Sequence, residues 1–318
     1  MRLLNLVASF LSVANASTLI GKRAVTPGSL QQVTSFGNQP TAAAFWIYVP
    51  KKLAARPGVI AAVHFCTGSA QAYYTGSPYH TLAEQYGFIV VYPSSPHSGT
   101  CWDVSSKQTL THEGGGDSNT IANMVKWVLS EYKADASKVF VTGSSSGAMM
   151  TVHFPSPSNK KQTLTATQNV LAATYPDVFK AAIVYSGVGA GCFVSSSGGI
   201  DAWNSTCAQG TSIATPAAWA KVVFNMYPGY NGSRPKMQIY HGSADTTLRP
   251  QNYQETTKEW AGVFGYNYDK PQATTTNDPQ SGYTKTVWGP AVTGIYAQGV
   301  GHTVPIRGAD DMKFFGFA

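Results

Sequence analysis

Charge is scarce in this chain. Only 12 % of its 318 residues are Asp, Glu, Lys or Arg, where a soluble domain usually carries about a quarter. The basic residues are scattered rather than clustered, which leaves no electrostatic footprint for nucleic acid. After the first residues no apolar run approaches the roughly 20 residues that a membrane helix needs. Metal and phosphate signatures are missing as well. His112-Glu113 runs into Gly114-Gly115-Gly116-Asp117 with no second histidine, so it is not a zinc motif. No Gly-Lys-Ser/Thr follows a glycine run, so there is no phosphate loop. No metal and no cofactor are expected, and neither nucleic acid nor membrane is an expected partner.

In place of charge the chain has Gly, Ser, Thr, Asn and Tyr, with 43 % hydrophobic residues to build a core. A hydroxyl- and amide-rich surface suits a secreted protein, and the first residues agree. Arg2, the apolar stretch Leu3–Val13 and the small residues Ala14-Asn15-Ala16 form a signal-peptide pattern over residues 1–16. Residues 17–23 end in Lys22-Arg23 and read as a propeptide, which puts the mature start near Ala24. Losing Arg2, Lys22 and Arg23 takes the net charge from +7 to +4. Four cysteines (Cys66, Cys101, Cys192, Cys207) are an even number for an oxidising compartment. Of the three possible pairings, closeness in sequence favours Cys192–Cys207 and leaves Cys66–Cys101. Asn204-Ser205-Thr206 and Asn231-Gly232-Ser233 are glycosylation sequons.

Short β-branched runs alternate with longer helical patterns. Gly58–Phe65, Phe88–Pro93, Lys138–Gly143, Lys180–Gly187, Lys236–Gly242 and Gly294–Gly299 are near-continuous apolar runs, as strands buried on both faces are. A helix is expected after Asp117 as N-cap, with Ile121, Met124, Val125, Val128 and Leu129 on one face. Strand–helix alternation predicts an α/β fold, a mostly parallel sheet covered on both faces. Phe45–Pro50 is expected as an antiparallel edge. With no repeat and no linker, residues 24–318 read as a single domain, expected to be a monomer.

Gly143-Ser144-Ser145-Ser146-Gly147 fits G-x-S-x-G with Ser145 at its centre. It follows a predicted strand and precedes helix-forming residues, which is the strand–turn–helix setting of a nucleophile elbow. A serine hydroxyl needs a base, and in this architecture the acid and then the histidine follow the serine. Asp245 and His302 both sit after predicted strands, with Asp201 and Asp269 as alternative acids. His64 lies in a predicted strand, and His97 and His112 precede the serine. His153 falls in an irregular segment, and His241 is expected to pack or to orient its loop. The oxyanion donors are expected to be the backbone N–H groups of Ser146 and, from the loop His64–Ser69, of Cys66.

The stretches "HFCTGSAQAYYTGSPYHTLAEQYGFIVVYPSSP", "CWDVSSKQTLTHEGGGDSNTIANMV", "VFVTGSSSGAMM", "YHGSADTT" and "GYTKTVWGPAVTGIYAQGVGHTVP" resemble fungal acetylxylan esterases of the first carbohydrate-esterase family. Feruloyl esterases and polyhydroxybutyrate depolymerases are more distant relatives of that family. The resemblance runs from about Gly28 to the end, apart from one segment. It implies an α/β-hydrolase fold without a cofactor and hydrolysis of acetyl esters on xylan by Ser145, Asp245 and His302. It also implies Cys66 and Ser146 as backbone donors and Trp203 over the substrate. Trp203 reads equally well as a packing anchor beside the Cys192–Cys207 bridge. A feruloyl or polyester esterase remains open, and so does a catalytically silent carbohydrate-binding protein.

The departing segment is Val152–Gln168, "VHFPSPSNKKQTLTATQ". Without it the helix after Ser145 reads "AMMTNVLAATYP", with Met149, Val170 and Leu171 on a buried stripe. Every Val codon begins with GT, Gln can be CAG, and Leu164-Thr165 can encode CTAAC. The segment therefore reads as a translated intron. Pro155 and Pro157 would each cost a helix interior about 3 kcal/mol.

Overall fold

The computed structural model describes residues 25–150, 169–195, 199–200 and 202–318. The expected signal peptide and propeptide, the segment Val152–Gln168 and the alternative acid Asp201 lie outside the described residues.

Ten strands form one sheet in the order β1-β2-β4-β3-β5-β6-β7-β10-β9-β8. They are β1 (Leu30–Val33), β2 (Ala44–Tyr48), β3 (Val59–Val63), β4 (Ile89–Ser94), β5 (Val139–Ser144), β6 (Ala181–Tyr185), β7 (Lys236–Gly242), β8 (Ala273–Thr276), β9 (Tyr283–Gly289) and β10 (Val292–Ala297). The six from β4 through β3, β5, β6 and β7 to β10 run parallel. These are the six strands expected from apolar runs. Their residues pack on both faces. Val59, Ala61 and Val63 of β3 join one core, whereas Ile60 and Ala62 join the other. A side-chain period of two puts alternate residues on opposite faces, so a strand covered on both sides is apolar throughout.

The expected antiparallel edge needs correction. Phe45–Tyr48 is antiparallel to β4, but it is not the edge, because β1 pairs outside it. At the other end β9 and β8 extend the sheet antiparallel. β8 reads Ala-Thr-Thr-Thr and is exposed throughout, so no apolar run announces it.

One core lies between the sheet and the helices α3 (Asp117–Glu131), α4 (Ser146–Met150), α5 (Val170–Thr174), α7 (Pro216–Phe224) and α8 (Gln251–Val263). The other lies under α1 (Ala70–Gly76), α2 (Tyr79–Tyr86) and α9 (Gly308–Phe315). The short α6 (Ser205–Ala208) carries Cys207. In α3, Ile121, Met124, Val125 and Val128 are buried, as the 3–4 spacing requires. Gly116 rather than Asp117 is its N-cap. Asp117 is the first helical residue, where its carboxylate meets the positive end of the helix dipole. It accepts from Asp103 N–H at 3.2 Å and lies 2.7 Å from His97 Nε2. No described helix is long and apolar enough to cross a membrane.

Candidate active site

Ser145 follows β5 directly and has φ +53°. A non-glycine residue held there stores about 1–3 kcal/mol, so the surroundings must enforce it. Gly143 and Gly147 explain how the turn fits. A Cβ on Gly147 would collide with the Val63 carbonyl oxygen, and one on Gly143 with the Gly147 carbonyl. The Ser145 N–H donates to Tyr185 O at 3.0 Å, continuing the β5–β6 ladder past the strand end. The turn thereby lifts the side chain above the sheet.

Three strand ends converge on that point. Asp245 follows β7, and His302 follows β10, which pairs parallel with β7. His302 Nε2 lies 2.8 Å from Ser145 Oγ, and His302 Nδ1 lies 2.8 Å from Asp245 Oδ2. An ionised carboxylate only accepts, so Nδ1 carries the imidazole proton and the Nε2 lone pair faces the serine hydroxyl. Asp245 is buried. Burial by itself opposes its ionisation, but hydrogen bonds from His241 and His302 outweigh it and hold the carboxyl well below the usual range. Asp245 Oδ1 also accepts the N–H groups of Thr247 and Leu248, each at 2.9 Å. Asp269, the alternative acid, is exposed on the loop after α8 and is not a hydrogen-bond partner of His302.

A cavity of about 600 Å³ opens at Ser145. Cys66 and Ser146 line it, as do Phe65, Trp102, Val104, Met149, Phe193, Trp203, Leu248 and Val304. Ser146 opens α4, and the first N–H groups of a helix have no intrahelical acceptor. Trp203 is 60 % exposed at the mouth and packs edge-on against Phe193 with ring centroids 5.0 Å apart. Cys192 and Cys207 are bonded behind it. Asn204 caps α6 through Cys207 N–H at 3.1 Å, and Asn231 is exposed.

The loop that carries Cys66 is tied along its length. Cys66 is bonded to Cys101. Thr67 N–H donates to Gly99 O, and Thr100 Oγ1 donates to Gly68 O, both at 2.8 Å. Trp102, fully buried, donates its indole N–H to His64 O at 2.9 Å. His64 lies just past β3 rather than within it. Its Nε2 accepts Ser95 N–H at 3.1 Å, so Nδ1 carries the proton and donates to Phe65 O at 2.7 Å. Burial lowers its pKa, against the opposing pull of that carbonyl. Sequence reasoning missed Trp102 and Thr67, whose φ of +60° is another strained point. It also placed His241 no closer than its loop, although the spacing of four residues from Asp245 was visible.

The central parallel strands, the strained serine after β5, and the carboxylate and imidazole delivered from β7 and β10 define an α/β-hydrolase. A family model described as esterase PHB depolymerase matches residues 43–276. The chain is 64 % identical over 308 residues to a probable acetylxylan esterase A of Neosartorya fischeri, covering 97 % of this chain and 79 % of the relative. It is 64 % identical over 312 residues to acetylxylan esterase A of Talaromyces purpureogenus, covering 97 % and 77 %. A solved acetyl xylan esterase from Aspergillus awamori superposes with a TM-score of 0.85 at 62 % identity, covering 92 % of this chain and all of that one. The chain belongs to the esterase PHB depolymerase family, and it is a carboxylic ester hydrolase.

Proposed function

We propose that this protein is a secreted, monomeric serine esterase that removes acetyl groups from xylan or xylo-oligosaccharides, with residues 24–318 as one catalytic domain. The observation that carries the proposal is the pair of 2.8 Å contacts joining Ser145, His302 and Asp245. Relatives named acetylxylan esterase at 64 % identity supply the substrate class.

The geometry supports the following reaction. His302 Nε2 accepts the Ser145 proton while Oγ attacks the acetyl carbonyl carbon, and Asp245 holds the resulting imidazolium. The Cys66 and Ser146 N–H groups receive the oxyanion, each worth about 3 kcal/mol of barrier. When the tetrahedral intermediate collapses, the C–O bond to the sugar breaks and His302 returns the proton to the departing hydroxyl. This leaves an acetyl-enzyme. Water then attacks it, His302 accepts a proton from that water, and acetate leaves as the proton returns to Ser145 Oγ. Trp203, exposed at the mouth, suits stacking on a xylosyl ring.

Acetate release from acetylated xylan tests the proposal. Ser145→Ala should lower kcat at least about 10⁴-fold with an unchanged melting temperature. Wild-type activity in that variant would end the serine mechanism. Relative rates on acetyl and feruloyl esters separate the substrate class from the feruloyl alternative. The three assembled side chains support catalysis over a silent binding role, and labelling of Ser145 by an active-site phosphonate checks it.

A further inference from the structure

We propose that His241 is a positioning residue of this site, donating from Nε2 to Asp245 Oδ2 and so fixing the carboxylate that orients His302. The proposal rests on the triad above.

A carboxylate offers about four acceptor positions. Asp245 Oδ1 uses two, on Thr247 and Leu248 N–H at 2.9 Å each. Oδ2 uses one on His302 Nδ1 at 2.8 Å. Among the described residues, His241 Nε2, 3.2 Å from Oδ2, is the donor within reach of the fourth. His241 stands at the end of β7 and is completely buried. Its Nε2 also lies 2.8 Å from Leu248 O. Both neighbours of Nε2 are acceptors, so Nε2 carries the proton. Nδ1 has no hydrogen-bond partner, and a second proton there would be a buried donor with nothing to receive it. The Nε2 proton thus serves Leu248 O at 2.8 Å and faces Asp245 Oδ2 at 3.2 Å.

Other titratable and charged groups lie on the elements packed around it. On the flanking strands these are Tyr185 and Tyr296. On α8 they are Tyr253, Glu255, Lys258 and Glu259, and on the loop that leads into α8, Arg249. Glu255 holds Trp219 Nε1 and Lys258 Nζ, Arg249 meets Gln209, and Glu259, its pKa pushed up by burial, accepts Ala190 N–H. None is a hydrogen-bond partner of His241 or Asp245 among the described residues.

Without the His241 donor, Oδ2 would concentrate its charge on His302, making that imidazole more basic, and the carboxylate would be freer to rotate. His241 is not part of the cavity wall, so substrate binding should not change. The test compares His241→Gln, whose amide nitrogen reaches the ε position of the ring, with His241→Asn, whose amide reaches only the δ position. The Gln variant should keep the acid limb of the kcat/KM profile. The Asn variant should shift it upward by about one pH unit and lower kcat about tenfold or more, at unchanged KM. If the Asn variant fails to fold, His241→Met takes its place with the same shift expected. An unshifted acid limb and wild-type kcat in the donor-free variant would overturn the proposal, as would a folded Gln variant impaired like Asn. Phosphonate labelling of wild-type Ser145 keeps the two readings apart. If labelling fails, the triad falls. If it succeeds and the Asn variant is indifferent, only the role of His241 falls.

Discussion

Asp311 carries a carboxyl into the interior between α9 and the sheet, where it accepts Tyr79 Oη at 2.8 Å and Tyr185 Oη at 2.6 Å. Burial pushes its pKa up to about 7, outweighing the two phenol donors. The unfolded chain ionises near the ordinary 3.8, whereas the native state does not until about 7. Native stability therefore falls as pH rises through that window and levels off above it. Asp311→Asn should remove the slope, gaining up to about 4 kcal/mol over wild type on going from pH 4 to pH 7. Denaturant melts of both proteins at the two pH values measure it. Asp245 has the opposite sign. Its depressed pKa adds stability above the unfolded value that is lost as pH falls through the native one. Ser145, Asp245 and His302 were legible as candidates because a local motif and a chain order mark them. Asp311 was not, because burial and phenol partners from α2 and β6 make its chemistry, and His241 was placed only on its loop, because the sequence does not show that it is buried beside the Asp245 carboxylate.

Among elements, the helix behind Ser145 matters most. α4 ends the described run at Met150, and α5 starts at Val170. All the residues of both helices are buried. The sequence continuity "AMMT–NVLAATYP" across the gap suits one helix. A protein lacking Val152–Gln168 should therefore melt at a higher temperature and turn over faster than the full chain, as lost helix packing is restored behind the nucleophile. Thermal melts and acetate-release rates of the two proteins check this, and equal values would contradict it, whereas the intron reading itself is decided by whether the mature transcript still carries these codons. The same scale shows why some strands escaped sequence reading. The parallel strands are apolar on both faces and announce themselves. β1, with Gln31 and Gln32, and β8, with three exposed threonines, exist only because a neighbouring strand offers backbone groups to pair with.

On the scale of the whole molecule, two disulfides close loops of different consequence. Cys192–Cys207 spans 15 residues and Cys66–Cys101 spans 35. Restricting the unfolded chain this way is worth about 3 and 4 kcal/mol respectively. The longer bridge also ties the Cys66 loop to the Cys101 loop beside the cavity. Cys66→Ala with Cys101→Ala should lower kcat while leaving KM near its wild-type value. Cys192→Ala with Cys207→Ala should chiefly lower the melting temperature. Steady-state kinetics and thermal melts of the two double variants separate these effects, and an unchanged kcat in the first would show that hydrogen bonds alone hold the loop.

The sequence by itself determined the alternation of buried strands and helices, the single elbow motif and the family. Each is written in residues close together in the chain, or in a pattern with the period of its own element. Tertiary structure alone decided which strand ends meet, that Asp245 has two histidines on one oxygen, and that the Cys66 loop is strapped by Trp102 and His64. Those facts depend on distances between residues up to 157 positions apart, and the packing of the sheet sets them.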